Sequence, residues 1–99
     1  LGATGKLAGF RYTVYMIERI QEDPEQLQRI TKRLYQETGK KFNVSAASVE
    51  RNLRTLIHFC WNRTEHSLLE HISGTALRSP PTNSEFLDIL ASYLREMGS

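Results

Sequence analysis

The sequence predicts an all-α domain of about five or six short helices that contains a helix-turn-helix. Apolar residues recur at three- and four-residue steps along nearly the whole chain, and no segment alternates with period two. Serine, threonine, aspartate, proline and glycine interrupt this pattern where helices would begin or end. Because 99 residues suffice for a single modest core, we treat residues 1–99 as one domain.

Two helical regions separated by Asp23-Pro24 are predicted in the first half of the chain. An aspartate suits the N-cap position, and a proline at the first helical position needs no hydrogen-bond acceptor. The first helix is expected from about Leu7 to Glu22, and its apolar positions are Phe10, Val14, Met16, Ile17 and Ile20. The second region is expected to break near Ile30, and its pattern is carried by Leu27, Ile30, Leu34, Thr38 and Phe42.

A third helix follows a short turn at Asn43-Val44. Ser45 is a suitable cap for its first turn. Its apolar side is predicted to hold Val49, Leu53, Leu56, Ile57, Cys60 and Trp61. Gly39 precedes the turn, where the absence of a side chain would let the two helices approach closely. A helix, a tight turn and a second helix with an apolar inner side make up a helix-turn-helix.

Two further helices are predicted on either side of a loop over residues 75–81. The pattern of Leu68, Leu69 and Ile72 indicates a short helix that ends at Ser73-Gly74, since glycine is a frequent helix stop. Thr82 and Glu85 form a capping box, in which the hydroxyl accepts from a first-turn amide and the carboxylate reaches back. The final helix carries Phe86, Leu87, Ile89, Leu90, Tyr93, Leu94 and Met97.

Positive charge is concentrated in the middle of the chain, although the net charge is only +2. Residues 29–54 hold seven basic and two acidic side chains, for a net charge of +5. The rest of the chain holds six basic and nine acidic side chains, for a net charge of −3. A basic segment in an acidic chain favours a polyanionic partner, but a lysine-rich helix face exposed to solvent would give the same count.

The outward side of the third helix is where chemistry for DNA recognition is expected. This side holds Ala47, Ser48, Arg51, Arg54 and His58, with Glu50 beside them. Ser48, Glu50 and Arg51 lie early enough to contact base edges in a major groove. An arginine fork matches guanine O6 and N7, and a glutamate can accept from cytosine N4.

Contacts with phosphates are expected around the same helix start. Lys40, Lys41 and Arg54 lie where the DNA backbone would pass, and the helix beginning at Ser45 offers amides to a phosphate. A Glu50–Arg54 pair would also form on a surface that never contacts DNA. The alternative is therefore a protein-interaction or dimerisation module built on the same fold.

Several other classes of protein are not indicated by the composition. No apolar run approaches the roughly 20 residues of a membrane span, so we expect no membrane partner. Cys60 is the only cysteine, which excludes an internal disulfide and suits a reducing cytoplasm. No glycine-rich phosphate loop or paired-carboxylate cleft is present, and Cys60 has no evident base nearby, so we expect neither an enzyme nor a cofactor.

Histidine spacing argues against a metal site. His58, His66 and His71 are separated by eight and five residues and do not share a helical face as i,i+4 ligands would. Tyr35 and Trp61 follow helical spacing and are expected in the core. Without an aromatic platform, RNA is a weaker candidate than DNA.

Two stretches carry a resemblance to a known family: residues 29–63, RITKRLYQETGKKFNVSAASVERNLRTLIHFCWNR, and residues 81–86, PTNSEF. They resemble the C-terminal effector domain of the stage 0 sporulation response regulator of endospore-forming bacteria. The positions in register are Gly9, Phe10, Ile30–Lys32, Leu34, Tyr35, Lys40–Asn43, Val49–Arg51, Arg54, Ile57 and Trp61. The resemblance covers nearly the whole chain, and the combination of PTNSEF with a helix containing VER is fairly specific.

This resemblance implies a bacterial two-component transcription factor in which a phosphorylated receiver domain precedes the effector domain. It also implies that two copies bind adjacent promoter boxes on double-stranded DNA and contact the sigma subunit of RNA polymerase. In the family, an Arg-x-Glu-Arg pattern at the start of the recognition helix reads bases. Glu50 and Arg51 keep their places, but Ser48 replaces the first arginine, which would remove ~1–3 kcal/mol of base discrimination.

Overall fold

The computed structural model describes residues 2–62, 66–74 and 77–98, and the side chains of residues 7–30, 33–62, 69–74 and 77–98. Within those ranges the chain is mostly helical and contains no β-strand, so the predicted all-α class is confirmed. The α-helices are α1 (Gly2–Glu22), α2 (Tyr35–Phe42), α3 (Ala46–Trp61), α4 (His66–Ser73) and α5 (Asn83–Gly98). A 3-10 segment (Pro24–Arg29) and a π-helical segment (Ile30–Leu34) connect α1 to α2.

Helix α1 begins at Gly2, earlier than the predicted start near Leu7. Apolar periodicity marks only the turns that pack on a core, whereas main-chain hydrogen bonding can continue beyond them. Phe10 and Val14 follow the helical spacing, but they remain 57% and 43% exposed. The buried side of α1 is formed by Tyr12, Thr13, Met16, Ile17 and Ile20.

The break predicted near Ile30 is confirmed. The Asp23 carboxylate accepts a hydrogen bond from the Glu25 amide at 3.2 Å, with Pro24 at the first helical position. The 3-10 turns then give way to a π-helical turn, in which the Tyr35 amide donates to the Ile30 carbonyl. Tyr35 directly follows this change of helical type, and its side chain is buried.

The core lies among α1, α3, α5 and the segment between α1 and α2. Its buried apolar residues are Tyr12, Met16, Ile17, Ile20, Ile30, Leu34, Tyr35, Val49, Leu53, Ile57, Leu69, Phe86, Leu87 and Ala91. Helix α3 contributes Val49, Leu53 and Ile57, as its periodicity predicted. Close contact between α1 and α3 requires Gly9, because a Cβ atom there would collide with the main-chain carbonyl of Asn52.

Both predicted signals in the last third of the chain are confirmed. Helix α4 ends at Ser73, and Gly74 follows with a left-handed φ of 80°. The capping box pairs the Thr82 amide with the Glu85 carboxylate at 2.8 Å, and the Glu85 amide with the Thr82 hydroxyl at 3.1 Å. The side chains of His66 and Leu68, and residues 75–76 of the predicted loop, lie outside the described residues.

The apolar stripe of α5 changes character along the helix. Phe86 and Leu87 are buried in the core near its start. Leu94 and Met97, near its end, are 44% and 68% exposed. The first half of α5 therefore holds the fold together, and its last turns leave apolar surface uncovered.

Candidate nucleic-acid interface

The turn between α2 and α3 is closed by one carbonyl group and one left-handed residue. Asn43 ends α2 with a φ of 60° and ψ of 46°. The amides of Asn43 and Val44 both donate to the Gly39 carbonyl, the second at 2.8 Å. A Cβ atom on Gly39 would lie 2.5 Å from the Val44 carbonyl oxygen, so the predicted need for glycine is confirmed. The turn therefore fixes where α3 begins relative to α2.

Ser45 caps α3, as predicted. Its backbone is extended, and its hydroxyl oxygen accepts a hydrogen bond from the Ser48 amide at 3.0 Å. The hydroxyl hydrogen of Ser45 stays available to donate, and the side chain is exposed. The first amides of α3 also lack acceptors within the helix, because no preceding turn exists. This helix start is thus able to bind an anionic oxygen.

The side of α3 that faces away from the core is polar. Ala47, Arg51, Arg54 and His58 are exposed on it, whereas Ser48 and Glu50 are half-buried at its edges. Arg51 lies opposite the buried side that holds Val49, Leu53 and Ile57, and its side chain is exposed. No large apolar side chain interrupts this side over residues 46–58.

The residues predicted on the outward side of the third helix are divided between two edges of α3. Ala47, Glu50, Arg54 and His58 line an open depression that we call the flank groove. The groove is also lined by Leu27–Ile30, Arg33, Tyr35 and Pro80–Ser84. Glu50 forms an ion pair with Arg54 one turn later, so both predicted DNA contacts lie on this edge.

Ser48 lies on the opposite edge of α3 from Glu50. Its carbonyl oxygen accepts from the Asn52 side-chain amide at 2.9 Å, and its hydroxyl oxygen contacts the same nitrogen at 3.3 Å. Asn52 is also the residue whose main chain meets Gly9 of α1. The three predicted base-contacting residues therefore span the outward side of α3, with Arg51 between Ser48 and Glu50.

Lys40 and Lys41 are exposed in the last turn of α2, close to the start of α3 in the chain. The next residue, Phe42, packs against two tyrosines of α1, with ring centroids 5.0 Å from Tyr12 and 5.9 Å from Tyr15. The Arg11 guanidinium lies over the same ring at 5.5 Å. This aromatic cluster anchors the end of α2 and adds Arg11, a cation that the sequence analysis did not include in the site.

Asn83 and Tyr35 form a polar link that the sequence analysis did not predict. The Asn83 side-chain amide donates to the Tyr35 hydroxyl at 2.9 Å and to the Glu50 carbonyl at 3.3 Å. Burial raises the pKa of the Tyr35 hydroxyl, and the Asn83 hydrogen bond and the Arg54 charge partly offset that rise. The only sequence signal was the presence of Asn83 within PTNSEF, which indicated family resemblance without indicating a contact.

The described parts of the chain offer neither a cluster of metal ligands nor a membrane-spanning helix. Residues 2–62, 66–74 and 77–98 contain no group of three or more His, Cys, Asp or Glu placed to hold a metal ion. In the same ranges, none of the helices combines the length and apolarity that a bilayer crossing needs. Cys60 is half-buried against the core.

These features define a small all-α domain in which a helix-turn-helix presents a polar, cation-bearing second helix to solvent. The family model described as "Sporulation initiation factor Spo0A C terminal" matches residues 1–94. The chain belongs to this family, the C-terminal effector domain of a response regulator that controls transcription in sporulation. The predicted family resemblance is confirmed.

Proposed function

We propose that this domain binds double-stranded DNA in a sequence-specific manner, with α3 in the major groove. The observation that carries the proposal is the outward side of α3, where Arg51 is exposed and flanked by Glu50 and Ser48. Exposed polar side chains on the second helix of a helix-turn-helix are those that meet base edges. A protein-interaction surface would instead be expected to carry aromatic or other large apolar side chains at its centre.

Each of the three base-contacting residues has a distinct role in this proposal. Arg51 donates two parallel hydrogen bonds to a guanine, and Glu50 accepts from a cytosine amino group. Glu50 and Arg54 pair in the free domain, which holds both side chains on the flank-groove edge of α3. Ser48 has a short side chain and offers a single hydroxyl, so it discriminates between bases less strongly than an arginine would.

Phosphate contacts come from the residues around the start of α3. Lys40 and Lys41 supply mobile positive charges from the last turn of α2, and Arg54 supplies one from α3. Ser45 donates its hydroxyl hydrogen to a phosphate oxygen while its oxygen caps the helix. These contacts add affinity without base preference. Their contribution falls as the salt concentration rises, because the release of counterions from DNA then contributes less to the binding free energy.

The test begins with selection of bound sequences from a random duplex library. The domain is then titrated with the selected duplex and with a scrambled duplex at several salt concentrations. We expect a reproducible motif and a steep negative slope of log affinity against log salt. If no duplex is retained at low salt, the proposal is wrong, and a protein-interaction or dimerisation module becomes the better interpretation.

We extend the proposal to binding by two copies on adjacent boxes. One module of this size buries only about 600–1,000 Å² on DNA, which is too little for high specificity in a genome. Leu94 and Met97 leave apolar surface at the end of α5, which suits a weak contact between neighbouring copies. Contact with the sigma subunit of RNA polymerase belongs to the same proposal, and only the family resemblance supports it.

The two-copy proposal is tested with one-box and two-box duplexes. We expect the domain to be monomeric by light scattering in the absence of DNA and to fill two boxes cooperatively in a gel titration. Cooperativity follows because binding to one duplex raises the effective concentration of the second copy. Independent filling of the boxes, or a stable dimer without DNA, would contradict it.

A further inference from the structure

We infer that Asn83 is a positioning residue for base recognition: from the start of α5, it holds the first half of α3 against α2. This inference rests on the DNA-binding function proposed above, and it adds a residue that itself does not touch DNA. Asn83 is separated from Tyr35 by 48 residues and from Glu50 by 33, yet its side chain hydrogen-bonds to both. One side chain therefore joins three elements of the fold.

The chemistry of the acceptors fixes the orientation of the Asn83 side chain. The Glu50 carbonyl can only accept a hydrogen bond, so the nitrogen of the amide group must face α3. The same nitrogen donates to the Tyr35 hydroxyl at 2.9 Å. An asparagine supplies two hydrogens on this nitrogen, which is the number that the two acceptors require.

The position at which Asn83 hydrogen-bonds to α3 is relevant to the proposed base recognition. The Glu50 carbonyl is in the main chain immediately before Arg51, the residue proposed to read a guanine. A carbonyl inside a helix already accepts from the amide four residues later, and Asn83 uses its second lone pair. The bond at Glu50 therefore resists rotation of α3 about its own axis, the motion that would move Arg51 away from its base.

The other two groups in the link are themselves well fixed. Tyr35 is the first residue of α2, directly after the π-helical turn, and its side chain is buried. Because burial raises the pKa of its hydroxyl, the group stays protonated and neutral at physiological pH. Asn83 is the first residue of α5, and the buried side chains of Phe86 and Leu87 hold the first turn of that helix against the core. Because Tyr35 and the first turn of α5 are both fixed, the hydrogen bonds of Asn83 hold α3 in place, and we call this link the Asn83 brace.

The main variants are Asn83→Ala and Asn83→Asp. Alanine removes both hydrogen bonds, and aspartate keeps the shape but places a carboxylate oxygen against the Glu50 carbonyl. The measured quantity is the ratio of Kd values for a scrambled duplex and for the duplex selected by the wild-type domain. We expect the ratio to fall about 3- to 10-fold for Asn83→Ala, the size of a lost hydrogen bond, and further for Asn83→Asp. The salt slope should not change in Asn83→Ala, which alters no charge.

Thr82→Ala is the matched control, because it removes a hydroxyl from the same turn of α5 without touching α3. It should lower stability through loss of the cap but leave the ratio of Kd values unchanged. Tyr35→Phe keeps the ring in the core and removes one acceptor, so it should produce part of the Asn83→Ala effect. In the double variant the two effects should not add, because both remove the same link.

Amide hydrogen exchange along residues 50–54 tests the brace without DNA. We expect faster exchange there in Asn83→Ala than in Thr82→Ala when the two variants are compared under conditions that give them equal free energies of unfolding. Equal exchange in these two variants overturns the inference, and so does an unchanged ratio of Kd values in Asn83→Ala. If the wild-type domain prefers no duplex, the proposed function fails, and the exchange experiment still decides whether Asn83 positions α3.

Discussion

The two faces of α3 are built from different side chains, and we expect them to perform separable tasks. Its inner face consists of Val49, Leu53 and Ile57, which are almost completely buried. Its outer face consists of exposed or half-buried polar side chains around Arg51. The inner face determines whether the helix folds and how it packs, and the outer face is the surface that we propose contacts DNA.

This difference means that stability and DNA recognition should respond to different substitutions. Buried apolar residues contribute to the free energy of unfolding through transfer from water and close packing. Exposed arginines contribute little to that free energy, since surface ion pairs are worth at most about 1 kcal/mol. Substitutions on each face, and at the turn that joins α3 to α2, therefore test whether the separation holds.

The largest effect is expected on the inner face. Leu53→Ala should lower the free energy of unfolding by ~2–5 kcal/mol, because it leaves a cavity at a fully buried position. Urea denaturation measures this loss, and Leu94→Ala, at a partly exposed leucine of α5, is the matched control. Where the variant remains folded, its ratio of specific to non-specific affinity should equal that of the wild type. A changed ratio would show that the two faces are coupled.

The next effect is expected at the turn. Gly39→Ala should cost roughly 1–3 kcal/mol of stability, because the new Cβ atom would press on the Val44 carbonyl and force the main chain to shift. Gly98→Ala is the control, since nothing lies within 4 Å of a Cβ atom there. Thermal unfolding of the two variants gives the comparison. Equal melting temperatures would contradict the close approach of α2 and α3.

On the outer face, Arg51→Ala should weaken binding to the selected duplex by ~1–3 kcal/mol while leaving stability and non-specific binding nearly unchanged. Arg51→Lys keeps the positive charge but loses the planar fork, so it should behave more like alanine on the selected duplex. Fluorescence anisotropy titrations on selected and scrambled duplexes measure both affinities. Equal losses on the two duplexes would mean that Arg51 contacts phosphate instead of a base.

Ser48→Arg should sharpen the base recognition that we propose for the outer face. A second arginine fork would add ~1–3 kcal/mol of discrimination at one base and shift the selected motif toward guanine there. Ser48→Lys, which adds the charge without the fork, is expected to raise affinity for all duplexes alike. Repeated selection from the random library reads out the motif. An unchanged motif in Ser48→Arg would place residue 48 away from the bases.

The smallest effects are expected from the residues that we propose contact phosphates. Lys41→Ala and Arg54→Ala should each weaken binding to every duplex and reduce the magnitude of the salt slope by about one unit. Arg95→Ala, at the last turn of α5, removes the same charge and should leave the slope unchanged. A shift in sequence preference without a change in slope would move Lys41 or Arg54 from the phosphates to the bases.

Local signals in the sequence predicted most of the fold. The capping roles of Asp23, Ser45 and the Thr82–Glu85 pair were all correct, because each depends on residues within three positions of one another. The buried side of α3 followed from its periodicity for the same reason. Only the start of α1 was placed too late, since its first turns carry no apolar pattern.

The sequence was less informative about which apolar residues a neighbouring helix would cover. Phe10 and Val14 satisfy the helical spacing of α1 but stay exposed, as Leu94 and Met97 do on α5. Periodicity fixes a direction around a helix axis, and burial depends on whether another element lies in that direction. The candidate site shows the same limit: periodicity placed Glu50 and Arg54 on the outward side of α3, but it gave no sign that Pro80–Ser84 and Arg33 line a groove with them.

By itself, the sequence determined the helices, their caps, the helix-turn-helix and the family, because each of these depends on nearby residues or on a contiguous motif. The tertiary structure alone decided that Asn83 reaches Tyr35 and the Glu50 carbonyl. It also decided that the edge of α3 with Glu50 and Arg54 lines a groove together with Pro80–Ser84. Contacts between residues that are 33 or 48 positions apart leave no periodic trace in a single sequence, since they exist only when separate helices pack around one core.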